Sequence, residues 1–470
     1  MTNKFFLFAF CFIYYSYVYA NCQTINSKDS LFIIDKIEIS GNKTTKPYII
    51  LRELTFKQLD TVKSNKIPEL FEKSKENLLN TLLFNYVNID LKNNNGKNIV
   101  LINVEERWYI WPNIIFEHAN RNLSAFIEDK DWRKINYGMY LTYNNFRGRK
   151  EILKLTTRFG YKQLFGLYYN KPDFGKKHQH GLTFDIFYFR KKEADLNVLN
   201  NKLIYFRLLD DYLWNYSGIK LTYTLRPKYY SYHKFSTGFE NTNVADTIIK
   251  LNPAYTGNQT TKLYFTFFSY QFIYDKRDYK AYPLNGYYFD FLIKKEGLAF
   301  WSNYNNLYIK PLFSWYSKIS DRWYYSSGIK GKYSLFNIPF ANKQALGYYD
   351  YMHGYEPYVI NGNSFIFFRS YLKYCVMKQK ITVVEKIPFK KFNKIHLSIY
   401  SNLLFDVGYV YDINPDASNT YVNTPLYSFG VGLDLVSYYD QILRFEFSIN
   451  HKGLTKFNID IKAPILKENN

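Results

Sequence analysis

Histidine and cysteine are the groups here best able to ligate a metal or attack a substrate, and this 470-residue chain holds seven of the first and three of the second. His178 and His180 fall in Lys176-Lys177-His178-Gln179-His180. That spacing suits a metal, yet no cysteine or carboxylate cluster stands beside it, and a solvated hairpin tip explains the pair better. Cys22 and Cys375 are distant in sequence and are expected to form no functional disulfide. No glycine-rich phosphate loop, nucleophile elbow or paired-carboxylate motif is present. A barrel hydrolase would have to assemble Ser or Asp-His pairs from neighbouring strands, and is the weaker reading. The chain is therefore expected to be no enzyme and to hold no cofactor and no metal.

Composition narrows the scaffold. Tyr, Phe and Trp make up 21% of the residues and apolar residues 47%, while 62 Lys+Arg against 40 Asp+Glu leave a net charge of +22. Disorder is excluded by the apolar content. A water-soluble domain cannot bury so many rings, and a mean hydropathy of −0.35 argues against a helical membrane bundle. A transmembrane β-barrel reconciles the two, with an apolar outer face, aromatic girdles and a polar lumen. The basic residues are spread along strands and turns rather than gathered in one arm, so no nucleic-acid partner is expected.

Met1 to Ala20 reads as a signal peptide, with Lys4 ahead of an apolar stretch and Val18-Tyr19-Ala20 as the cleavage site. A short linker, 21–30, follows. Residues 31–107 then read as a small α+β domain. Leu31 to Ile39 is a strand, Tyr48 to Leu54 and Ile67 to Asn80 have helical spacing, and Leu70, Phe71, Leu78, Leu79 and Leu82 share one stripe. Tyr86 to Lys92 and Asn98 to Val104 are two strands joined through Asn93-Asn94-Asn95-Gly96. From 108 to 470 period-2 alternation takes over. Leu443, Phe445, Phe447 and Ile449 alternate with Arg444, Glu446, Ser448 and Asn450, and Phe457, Ile459 and Ile461 with Asn458, Asp460 and Lys462. At about 22 residues per strand with its connection, this stretch holds on the order of sixteen antiparallel strands. Closure is expected, because an open edge in lipid leaves backbone groups unpaired.

Several segments resemble the BamA/TamA-type outer-membrane assembly proteins, in which POTRA domains precede a C-terminal barrel. Glu38 to Thr45, with Gly41 and Asn42, looks like a POTRA first strand and turn; Asn77 to Val87, with Asn80, Thr81 and Phe84, looks like its second helix and following strand. Ile102 to Glu106 resembles the closing strand, and only one such unit fits. In the barrel, Asn145-Phe146-Arg147-Gly148 resembles the second hairpin. Asp275, Arg277 and Asp278 followed by Pro283 and Gly286 match a mid-barrel motif. Met352-His353-Gly354-Tyr355 occupies the place of the Arg-Gly-aromatic motif in the loop that folds into the lumen, and Phe405-Asp406-Val407-Gly408 resembles the strand that receives it.

The resemblance implies an outer-membrane barrel with its N-terminal domain in the periplasm. Unfolded outer-membrane clients would be captured by strand addition at the Ile37–Ile39 or Tyr86–Leu91 edge and templated at a seam between Pro112–Glu117 and Leu454–Ala463. Lipids, periplasmic chaperones or accessory lipoproteins would be partners. The alternatives are a two-partner-type secretion pore for one dedicated protein and a passive porin. Two departures stand out. His353 replaces the family's Arg, which implies a weaker or pH-dependent latch to Asp406, or simply a hydrogen bond within the lumen. The chain also ends in a polar tail rather than on an aromatic residue.

Overall fold

The computed structural model of the chain describes residues 31–118, 132–298, 301–383, 392, 394–461 and 468. The expected signal peptide, linker and Cys22 lie outside these residues.

The small domain comprises β1 (Leu31–Ile33), β2 (Lys36–Ser40), α1 (Pro47–Leu51), β3 (Thr61–Lys63), α2 (Ile67–Leu79), β4 (Phe84–Asn94) and β5 (Lys97–Glu106). The single strand expected over Leu31–Ile39 is in fact two. Buried Ile34 donates its N–H to Asp60 O at 3.1 Å, so the chain leaves its pairing with β3 and joins β5 instead. The sheet order is β2-β5-β4, with β2 parallel and β4 antiparallel to the central strand. Both edges named from the sequence are thus true edges. Asn95 and Gly96, with φ of 51° and 79°, supply the left-handed pair that a two-residue hairpin needs. Ile49, Ile50 and Leu78 from the helices close over Phe84, Val100 and Ile102 from the sheet. Leu82 does not share that stripe. The helix has ended by then, and Leu82 lies exposed in a left-handed turn with φ 62°.

From Ile110 onward sixteen antiparallel strands each pair with a neighbour. The hairpin of β11 (Glu193–Leu199) and β12 (Lys202–Arg207) is a separate two-stranded projection between β10 (His180–Lys191) and β13 (Trp214–Leu225). The sidedness is inverted relative to a soluble fold. Along β22 (Ile442–Asn450), Arg444, Glu446, Ser448 and Asn450 are buried while Phe447 and Ile449 are exposed. On β21 (Pro425–Ser437), Tyr427, Phe429, Val431 and Leu433 face outward while Ser428 and Asp434 are buried. A polar interior within an apolar wall is the arrangement lipid demands. Among the described residues no helix is long and apolar enough to cross a membrane.

Even-numbered junctions of the wall, such as 147–150, 226–230 and 276–285, meet the small domain at what is here termed the proximal end. The distal end carries the longer loops 192–213, 245–261, 335–363 and 412–424. The ladder ends on β6 (Ile110–His118) and β23 (Thr455–Asp460), which are not hydrogen-bonded to each other among the described residues. Among the described residues the expected closure is therefore interrupted between these two strands. Both terminal strands are short, nine and six residues, and Pro112 in β6 brings no N–H to the ladder.

Candidate functional site

The loop 335–363 enters the lumen and packs Met352, Tyr355 and Ile360 against wall residues Phe367, Tyr371 and Leu404. Its tip is held by the residues singled out in sequence. His353 donates its backbone N–H to Asp406 Oδ2 at 3.0 Å, and its Nδ1 lies 2.9 Å from the same oxygen. Asn450 Nδ2 reaches Gly354 O at 2.9 Å, and Tyr355 Oη donates to Tyr427 O at 3.1 Å. Gly408 makes room for the tip, because a Cβ there would sit 2.6 Å from Met352 Sδ and 2.8 Å from Phe367 Cβ.

Two partners of this latch were missed in the sequence. Asp406 lies on β20 (Lys394–Tyr411), directly opposite Arg369 on β19 (Ser364–Val383). Arg369 forks onto the carboxylate through Nε at 3.0 Å and Nη2 at 2.8 Å. A permanent guanidinium charge thus remains beside Asp406 although the loop carries His. On the other side of the ring, His353 Nε2 lies 3.0 Å from Glu446 Oε2 and 3.2 Å from Tyr371 Oη. A neutral imidazole donates from one nitrogen only, whereas an imidazolium satisfies both carboxylates. Register and the approach of β22 bring these groups together, and neither leaves a trace in local sequence.

The mid-barrel motif builds the proximal turn 276–285. Arg277 grips Asp275 through Nε at 2.7 Å and Nη2 at 2.8 Å, and its guanidinium stacks 4.3 Å from the Tyr288 ring. Asp278 accepts the N–H groups of Tyr279 and Leu284 at 2.8 and 3.1 Å, closing the turn around buried Pro283. Gly286 has φ 101° and sits where a Cβ would overlap Lys276 O at 2.0 Å. The C-terminal tail is more than a solvated end, since Glu468 meets Arg277 Nη2 at 2.7 Å. Tyr282 projects from the same turn and donates to Asp434 Oδ2 at 2.7 Å; Asp434 is gripped by Arg444, and Tyr371 Oη bridges Arg444 to Glu446. A continuous polar chain therefore runs from the proximal turn to the lumen loop.

The POTRA-like motif splits into fold and contact. Gly41 (φ 87°) lies so close to Val104 O that a Cβ would stand 1.9 Å away, and Asn42 Nδ2 ties off Thr45 O at 3.0 Å. Thr81 caps α2 by donating to Leu78 O at 2.6 Å, and Phe84 is a core residue. Asn80 instead brackets the barrel, donating to Asp278 O at 2.9 Å and accepting Lys280 N–H at 2.9 Å. Much more of the domain is docked. Arg226 forks onto Glu53 at 2.6 and 2.7 Å, Arg52 pairs with Asp173 at 2.9 Å, and Lys46 N–H donates to Gly148 O at 2.9 Å. Arg107 forks onto Asp440. The pair at Lys176–His180 is no free hairpin tip, because His178 stacks on Tyr48 of α1 at 4.4 Å and His180 Nδ1 meets Tyr223 Oη at 2.7 Å.

Burial alone would raise the Glu53 carboxyl, but the charge and hydrogen bonds of Arg226, then Lys150 and Arg52, bring it down to about 2. Burial drives Lys150 down to about 7 against the pull of Glu53. Glu76 on α2 goes the other way, raised to about 7 by burial and by the neighbouring charges of Asp278 and Glu72.

A wall apolar outside and polar within, a loop latched in the lumen and a βααββ domain braced against one end define a POTRA-plus-barrel membrane protein. The sequence profile of the Omp85 superfamily domain matches residues 145–453, and that of the POTRA surface antigen variable number repeat matches 32–107. The chain belongs to the Omp85 superfamily, the family of BamA/TamA-type proteins, whose members are outer-membrane assembly or secretion channels with periplasmic POTRA domains. In fold it is similar to BamA from Haemophilus ducreyi lacking POTRA domains 1–3, at 15% identity and a TM-score of 0.51 over 92% of this chain and 83% of that one. CdiB from Escherichia coli aligns at 10% identity and a TM-score of 0.47, covering 96% of this chain and 91% of that one. No curated protein matches the chain in sequence.

Proposed function

We propose that the chain is an outer-membrane assembly factor. Its small domain receives unfolded β-barrel clients in the periplasm, and the gap between β6 and β23 templates them in the membrane. The observation that carries this reading is the gap itself. Fifteen strand pairs of the wall are made, while the first and last strands present backbone groups to no partner among the described residues. A client strand pairing there gains what the seam lacks. Around the gap the outward residues Ile114, Phe116, Phe457 and Ile459 are exposed and apolar, suited to lipid and to a client's outer face. The lumen, by contrast, holds the latched loop, packed against wall residues Phe367, Tyr371 and Leu404, which favours a lateral route over a secretion pore or porin.

Depletion followed by complementation tests the reading. Broad loss of barrel proteins from the outer-membrane proteome, rescued by wild type but not by a variant with a disulfide stapling β6 to β23, is the expected result. Rescue by the stapled variant overturns the lateral route. Loss of one surface protein alone would indicate secretion, and altered solute uptake alone a porin.

A further inference from the structure

At the distal mouth five loops enclose a cavity of about 860 Å³ that the assembly reading does not use. That volume lies within the range of sites for small ligands. Its walls are fixed from within: Asn252 donates to Leu196 O, Asn258 to Asn303 O and Asn419 to Val198 O, each at 2.7 Å. One polar group in the walls is left over. The Asn361 side-chain carbonyl has no hydrogen-bond partner, although the residue is more than nine-tenths buried. A buried polar atom without a partner costs about 1–3 kcal/mol, so an occupant that supplies one is favoured.

The chemistry of the walls selects that occupant. Nine of the lining residues are asparagine, whose amide offers a donor and an acceptor together and so complements a hydroxyl, which is both. Lys343 is the one cation in the lining, and Asp412 neutralises it with contacts of 2.8 and 3.0 Å. A phosphate or sulfate would find no free positive charge here. Half-buried Phe340 adds a ring face against which a pyranose can pack.

We infer that this loop cavity is a binding site for a neutral oligosaccharide. Its placement on the cell exterior rests on the outer-membrane reading above, but the site itself does not. The full chain in detergent micelles is titrated with maltohexaose, chitohexaose and laminarihexaose, with inorganic sulfate as the anionic control, and read by saturation-transfer difference NMR. Saturable binding of at least one hexasaccharide is expected. It should weaken at least tenfold in Asn361→Leu and in Asn414→Trp, which places bulk on an exposed lining residue. Asn414→Trp keeps the test decisive if Asn361→Leu folds poorly. No binding of any of the three sugars, binding unchanged in Asn414→Trp, or saturable sulfate binding in their place overturns the inference. Separately, Asn258→Cys should react with an impermeant maleimide on intact cells; a failure there removes the orientation while leaving sugar binding as measured.

Discussion

Removing the Arg226 guanidinium should loosen the docking of the small domain on the barrel. Glu53 is buried and Arg226 nearly so at the junction, and they are bonded at 2.6 and 2.7 Å. Holding the Glu53 carboxyl at about 2 instead of 4.5 corresponds to about 3 kcal/mol of preference for the charged, docked form. Breaking a buried pair from one side costs a comparable ~3–5 kcal/mol. Arg226→Gln is therefore expected to shift the docking equilibrium by roughly a hundredfold. Arg52 and Lys150 stand 3.7 and 3.9 Å from Glu53 and set a floor to the loss. Spin labels at Lys92 and Asp321, both exposed, report the distance between domain and barrel by electron–electron resonance. Wild type should give one narrow distribution at pH 7.5, and Arg226→Gln a broad one. The double variant Glu53→Met/Arg226→Met, which removes the uncompensated charge, should recover much of the narrow one. The pH dependence follows from the sign of the shift. A depressed carboxyl contributes fully above about 4.5 and is lost as pH falls toward 2, so acid should undock wild type over that window. An unchanged distance distribution in Arg226→Gln, at any pH between 3 and 8, would refute the reasoning.

Glu76→Gln should strengthen docking above about pH 7, where the wild-type carboxylate faces Asp278, and leave it unchanged below 4.5, as read by the same labels. Asp406→Ala removes the carboxylate that Arg369 forks onto and leaves His353 with Glu446 alone, and should cost about 3–5 kcal/mol, read as earlier loss of the folded band on heating in gel electrophoresis. His353→Arg tests the proposed latch directly: barrel stability against pH should flatten relative to wild type, and identical profiles remove the switch. Gly408→Val should displace the loop tip at a cost of about 1–3 kcal/mol, seen as faster proteolysis within 335–363. Tyr282→Phe cuts the polar chain between the proximal turn and Asp434; its effects on loop release and on docking should be non-additive with those of Asp406→Asn, measured as a double-mutant cycle.

Local sequence determined what depends on a few neighbouring residues. Period-2 alternation in 443–450 put Arg444 and Glu446 on one face and Phe447 and Ile449 on the other, and the wall obeys it because a strand has only two faces. Asn95-Gly96 was legible for the same reason, whereas Gly41 and Thr81 entered through the family resemblance and only the structure shows the bulk limit at the one and the α2 cap at the other. The split of the first strand at Ile34 was not, since it answers to the partners β3 and β5 rather than to its own residues. Asp406 and His353 could be paired through the family resemblance, yet Arg369 and Glu446 entered only with cross-strand register and with the approach of β22 across the lumen. The same holds for the junction of Glu53 with Arg226, the edges of β6 and β23 that do not pair with each other among the described residues, and the cavity gathered from five loops. Contacts between residues as far apart as Glu53 and Arg226, 173 positions, have no period and no spacing to read; they are set by which turns meet at one end of the wall, and only the assembled fold fixes that.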